Sequence, residues 1–124
     1  MRESRDRHDQ VVRTFADACR RGDVTGLTAV LDVDAVATCD GGGRVPGPDG
    51  PVNGRAEVAR LVMASLCGQA GGELTVESVN GRAGLTLRRA SHAVAVVAVE
   101  TAGSAVTALW IVLNPAKLGG WHRR

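Results

Sequence analysis

Aromatic side chains are almost absent from this chain. Phe15, Trp110 and Trp121 are the only three among 124 residues, and there is no Tyr. The core must therefore be built from Val, Leu, Ala and Ile, which leaves each aromatic as either core filling or a pocket marker. Lysine is nearly absent too, since Lys117 stands alone against a background of Arg. The net charge is only +2, and the basic residues are mixed with acids, as in Arg2-Glu3-Ser4-Arg5-Asp6-Arg7. No basic stripe with interleaved aromatics is present, which argues against direct nucleic-acid binding. Cys19, Cys39 and Cys67 are odd in number, far apart and without a Cys-x-x-Cys pair. That pattern argues against a zinc site and against a secreted disulfide framework, and no metal or other cofactor is expected. Cys19 and Cys67 fall on apolar helix faces and read as small core residues, so Cys39, beside Asp40, is the one to test for reactivity. The charged N-terminal residues contain no signal-peptide run, and no apolar stretch is long enough to cross a bilayer. A cytoplasmic location away from membranes is the expectation.

What is present fits one domain over residues 1–124, with a core from about residue 8 to 118 and a short tail. A chain of this length can fold without disulfides or a structural metal. The heavy use of Arg, Ala, Gly and Val is that of a GC-rich genome and points to an actinobacterial source.

The first half reads as helical. Val11, Phe15, Ala18 and Cys19 recur at helical spacing from about residue 8 to Arg21, and Gly22 ends that helix as a C-terminal cap. Asp23 caps a second, short helix over Val24 to Leu31. Asp34 to Cys39 reads as a strand. Residues 41 to 54 form a loop dense in Gly and Pro, and Arg55 to Gln69 a third helix with Val58, Leu61, Val62 and Leu66 on one face. From Glu73 onward the pattern is strand. Leu74 and Val76 alternate with polar residues, Asn80-Gly81 signals a tight turn, and Leu85 and Leu87 mark the next strand. His92 to Thr101 and Ser104 to Leu113 follow, joined at Ala102-Gly103 and stopped by Asn114-Pro115. Helices followed by an antiparallel meander make an α+β domain, with three helices packed on one face of a curved, mostly antiparallel sheet. The long strands are apolar on both faces, with Val94 and Val96 pointing one way and Val97 and Val99 the other. A second subunit packed on the free face would cover it, so a homodimer is expected.

Two motifs at strand ends carry the chemistry: Asp40-Gly41-Gly42-Gly43-Arg44 and Asn114-Pro115-Ala116-Lys117-Leu118. Strand ends and the loops after them are where small folds keep binding sites. The glycines can adopt backbone angles closed to other residues. The run lacks the Lys-Ser/Thr that a phosphate loop requires, and Asp40 has an alternative role in accepting turn hydrogen bonds. Lys117 is held near the end of the last strand and approaches Asp40 if the motifs share an edge. Asp40 would serve as a general acid or base if apolar surroundings raised its pKa, with His92 at the start of a strand as its partner. That constellation is incomplete, since no Tyr is available to donate to an oxyanion.

The element order α-α-β-α-β-β-β-β resembles the cone-shaped fold of the nuclear transport factor 2-like superfamily, which includes SnoaL-like polyketide cyclases. The two motifs are more similar to those in the SnoaL-like C-terminal domain of one group of extracytoplasmic-function RNA polymerase sigma factors, which modulates the sigma regions before it. Asp40, Gly41, Gly42 and Gly43 match the first motif of that group, with Arg44 at its basic position. Asn114, Pro115, Lys117 and Leu118 match the second, with Ala116 in place of an acid. Val79 to Gly84 and Ala108 to Val112 also look like that group, so the resemblance runs from about residue 8 to 121. No sigma region lies within the chain, which would be an independent gene product or a fragment of a longer one. The resemblance implies a non-catalytic regulatory or ligand-sensing domain. Its two motifs would dock on a protein partner in the transcription machinery, and its pocket, marked by Phe15 and Trp110, would hold a small apolar ligand. The alternative it implies is a small cone-fold enzyme of the cyclase, isomerase or epoxide-hydrolase type, using Asp40 with His92. A purely structural dimer is the third reading.

Overall fold

The computed structural model describes residues 2–41, 50–67 and 71–113. Gly22 closes the first helix, α1 (Arg2–Arg21), at a φ of 65°, and the amide of Asp23 reaches back to the carbonyl of Ala18 at 2.9 Å. Only a residue without a Cβ takes this left-handed corner cheaply. The Asp23 carboxylate then accepts from the amide of Gly26 and starts α2 (Val24–Val30). Both cap expectations hold. The chain passes from α2 straight into β1 (Leu31–Asp40), a two-residue strand β2 (Val52–Asn53) and α3 (Arg55–Ser65). Four strands follow: β3 (Gly72–Val79), β4 (Arg82–Arg89), β5 (His92–Ala102) and β6 (Ala105–Val112).

The strands form one sheet in the order β2-β1-β6-β5-β4-β3. Strands β3 to β6 run as an antiparallel meander, and β1 joins the open side of β6 in parallel. The sheet is therefore mostly antiparallel, with the three helices on one face. Val11, Val12, Phe15 and Cys19 from α1 pack with Leu27, Val58 and Val62 against Leu85, Val97, Val106 and Ile111 from the sheet. A core of aliphatic side chains around one buried Phe is what the aromatic-poor composition requires.

Three boundaries differ from the sequence reading, and the stretch read as a loop over residues 41 to 54 contains the short strand β2, paired antiparallel with β1. Helix α1 starts at Arg2 rather than near residue 8, because its first turns are polar and carry no apolar signal. Strand β1 starts at Leu31 rather than Asp34: Leu31, Val33 and Ala35 already alternate with Asp32 and Asp34, but Leu31 also continues the apolar spacing of α2. Arg55 donates through Nε to the Leu31 carbonyl at 2.9 Å and satisfies it there. Helix α3 ends at Ser65, earlier than expected. The valines of β5 also part differently. Opposite Leu87 and Arg88 of β4, Val94 is an extra, unpaired residue of β5 packed against the main core, while Val96 lies on the opposite face with Val79 and Ala93. One extra residue reverses the facing of everything before it, and periodicity alone does not reveal that.

Candidate functional site

The first motif begins at the end of β1. Ala35 and Ala37 are fully buried against the helices, and Cys39 packs at the edge of that core. Alternation turns Thr38 and Asp40 to the other face of the sheet. The register confirms this, since Thr38 pairs with Trp110 and Asp40 with Val112, a residue of the outer cluster. Asp40 is half-buried, and its carbonyl accepts from the amide of Leu113 at 2.7 Å. Burial, and then the charge of Asp40, push the Cys39 thiol above its ordinary range.

Trp110, expected at a pocket, lies on this outer face and is 51% exposed. It alternates with Leu109 and Ile111, which take the core positions of β6. Phe15 is fully buried in the main core and fills it. Asp40 and His92 are not brought together. His92 is exposed at the start of β5, where it pairs with Arg89, whereas the β5 residue level with Asp40 is Val96. Two strand spacings and four residues of rise separate the pair by on the order of 15 Å. Gly41 is described, but Gly42, Gly43 and Arg44 lie outside the described residues, as do Asn114, Pro115, Lys117 and Leu118 of the second motif and Trp121. Among the described residues no three His, Cys, Asp or Glu side chains gather as a metal site. No helix among them is long and apolar enough to cross a membrane.

Side-chain constellations not read from the sequence appear elsewhere. His8, only 2% exposed, sits against the start of β4 and the end of β5, hydrogen-bonded to Ala83, Thr101 and Arg82. One helical turn before Val11 and Val12, it continues their stripe, which is the signal that could have found it. On the outer face Arg88 forms a two-pronged ion pair with Glu77, its Nη2 donating to Oε1 at 2.8 Å, and its Nη1 also donates to Thr75. This pair raises the Arg88 guanidinium above its ordinary value, mainly through the hydrogen bond to Glu77. Cys19 and Cys67 meet in the core, and their shared thiol hydrogen bond together with burial pushes Cys19 far up. A cleft of about 360 Å³ opens beside them, lined by Cys19, Leu66, Leu74, Leu87, Arg20 and Glu73, with Gly72 at its rim.

The whole arrangement matches known structures closely. The extracytoplasmic-function sigma factor SigJ of Mycobacterium tuberculosis superposes with a TM-score of 0.68 at 27% identity, over 92% of this chain and 44% of that one. A protein of unknown function from Burkholderia xenovorans described as NTF-2 like superposes at 0.63 with 14% identity, over 96% and 95% of the two chains. The chain has the nuclear transport factor 2-like fold. An LEH-like epoxide hydrolase of M. tuberculosis is a further neighbour of this nuclear transport factor 2-like chain, at 0.58 and 15% identity over 96% and 91%. The neighbours are nuclear transport factor 2-like and SnoaL-like proteins, as the element order implied. At 14–15% identity they speak for the fold alone, whereas the likeness to SigJ extends to sequence. The chain spans less than half the length of that sigma factor. No protein-family profile and no curated protein sequence matches the chain.

Proposed function

We propose that this nuclear transport factor 2-like chain is a regulatory domain that docks on a protein of the transcription machinery through its outer sheet face. The observation that carries the reading is the 27% identity to a sigma factor over nearly the whole chain. The placement of Asp40 supports it. Asp40, Thr38 and the exposed indole of Trp110 share one face at neighbouring β1 and β6 positions, turned away from the helices. An exposed tryptophan flanked by polar side chains has the make-up of a protein contact.

The reading places the protein in the cytoplasm. It attaches the expected apolar ligand to the cleft beside Cys19, where four of its lining side chains are apolar. A second copy packed on the outer face is the competing occupant, so dimer and partner complex would exclude one another. Use of Asp40 as a general acid or base has less support, because Asp40 faces away from the main core and His92 lies far along another strand. The test is run-off transcription by RNA polymerase carrying an extracytoplasmic-function sigma factor truncated before its SnoaL-like domain. Added chain is expected to change transcript yield and Asp40→Ala to abolish the change, whereas equal yields with and without the chain would contradict the reading.

A further inference from the structure

A cleft of about 590 Å³ lies between α1 and the β3–β4 hairpin. Its size is within the range of small-ligand sites, roughly 300–1,000 Å³. Three guanidinium groups line it: Arg5 and Arg13 from one face of α1, and Arg82 from the start of β4. Among the described residues none of the three is ion-paired with a carboxylate. Two acids also line the cleft, Asp9 and Glu77, but Glu77 is held by Arg88. Three cations therefore face one uncommitted carboxylate, which leaves an excess of two positive charges.

Arg82 is aimed by a buried histidine. The Ala83 carbonyl, 2.9 Å from His8 Nε2, can only accept, so Nε2 carries the proton. Nδ1 is then bare, and its single lone pair is shared between two donors, Arg82 Nη2 at 3.1 Å and the Thr101 hydroxyl at 2.8 Å. His8 is thus a neutral strut that uses one of the five Arg82 donors and leaves the rest for the cleft. Arg5 adds its charge in the first turns of α1, where the positive end of the helix dipole lies.

We propose that this cleft binds a small organic dianion of the phosphate-monoester class, with Arg5, Arg13 and Arg82 as its ligands and His8 as a positioning residue. The charge excess matches such a group, and planar guanidinium forks match its oxygens. The cleft shares no lining residue with Thr38, Asp40 and Trp110 and does not depend on how that surface is used.

Calorimetric titration of the whole chain at low salt tests this, with ribose 5-phosphate as probe, ribose as the uncharged control and succinate as a dicarboxylate arm. The expected result is saturable binding of ribose 5-phosphate with a dissociation constant of about 1 mM or below, and none of ribose. Arg13→Gln and Arg82→Gln are each expected to weaken it by about tenfold, while Arg60→Gln, an exposed arginine of α3, leaves it unchanged. Circular dichroism of the three variants, all at exposed positions, checks that each is folded. Absent binding, equal weakening by all three variants, or tighter binding of succinate than of the phosphate ester would overturn the proposal.

Discussion

Cys39 and Asp40 are adjacent in sequence but turned to opposite faces of β1, and the charge of Asp40 alters the chemistry of the thiol. A thiol reacts as its thiolate, and burial and a neighbouring carboxylate both disfavour that form. Cys39 is therefore expected to react with iodoacetamide more slowly than a free cysteine near neutral pH, with the rate rising only above the ordinary thiol range. Asp40→Asn removes the repulsion but keeps the burial, so it should lower the thiol pKa and speed labelling at pH 8. Mass spectrometry of the labelled peptide reads both rates, and an unchanged rate in Asp40→Asn would show that the charge is screened. The Arg88–Glu77 pair is a different case at the same scale. Arg88 is nearly buried, so losing Glu77 would strand a desolvated cation. What this pair contributes is geometry, because it ties β3 to β4 on the outer face.

At the scale of the element, the hairpins show what the sequence discloses and what it hides. Asn80-Gly81 was legible because both residues tolerate a positive φ, and the structure gives them 54° and 80°. The turn between β4 and β5 was not, because Ala90 and Ser91 carry no turn signature yet adopt φ values of 52° and 68°. A left-handed residue with a Cβ costs roughly 1–2 kcal/mol, in part offset in glycine by chain entropy. Replacing Ala90-Ser91 with Asn-Gly should therefore stabilise the protein by about 1 kcal/mol in urea unfolding. A loss of stability would mean that the two side chains are held by contacts worth more than the strain. Helix caps and the strands of the meander were likewise legible, since Gly22, Asp23 and the Val-rich strands follow local rules, whereas the parallel place of β1 beside β6 was not. The bulge that redirects Val94 was not, because it depends on the partner strand. The candidate site was legible in part: the position of Asp40 at a strand end came from sequence, but the face it takes needed the register with β6. His8, Arg5, Arg13 and Arg82 were missed as a group because α1 and the β3–β4 hairpin lie far apart in the chain.

At the scale of the molecule, the sheet has two unlike faces. One is sealed by three helices over an aliphatic core, and the other carries Trp110, Thr38 and Asp40 beside a small cluster of Val79, Ala93 and Val96. In the function proposed above, this second face is the one that meets the transcription machinery. Trp110 reports on it directly, because an indole that leaves water for a protein interface shifts its emission to shorter wavelength. The measurement is Trp110 fluorescence in a Trp121→Phe chain, titrated with an extracytoplasmic-function sigma factor that lacks its SnoaL-like domain and whose own tryptophans are replaced by phenylalanine. The account predicts a saturable blue shift, with binding lost in Asp40→Ala and in a separate Trp110→Glu chain followed by sedimentation. Binding that leaves the emission of Trp110 unchanged, or no binding at all, would contradict it.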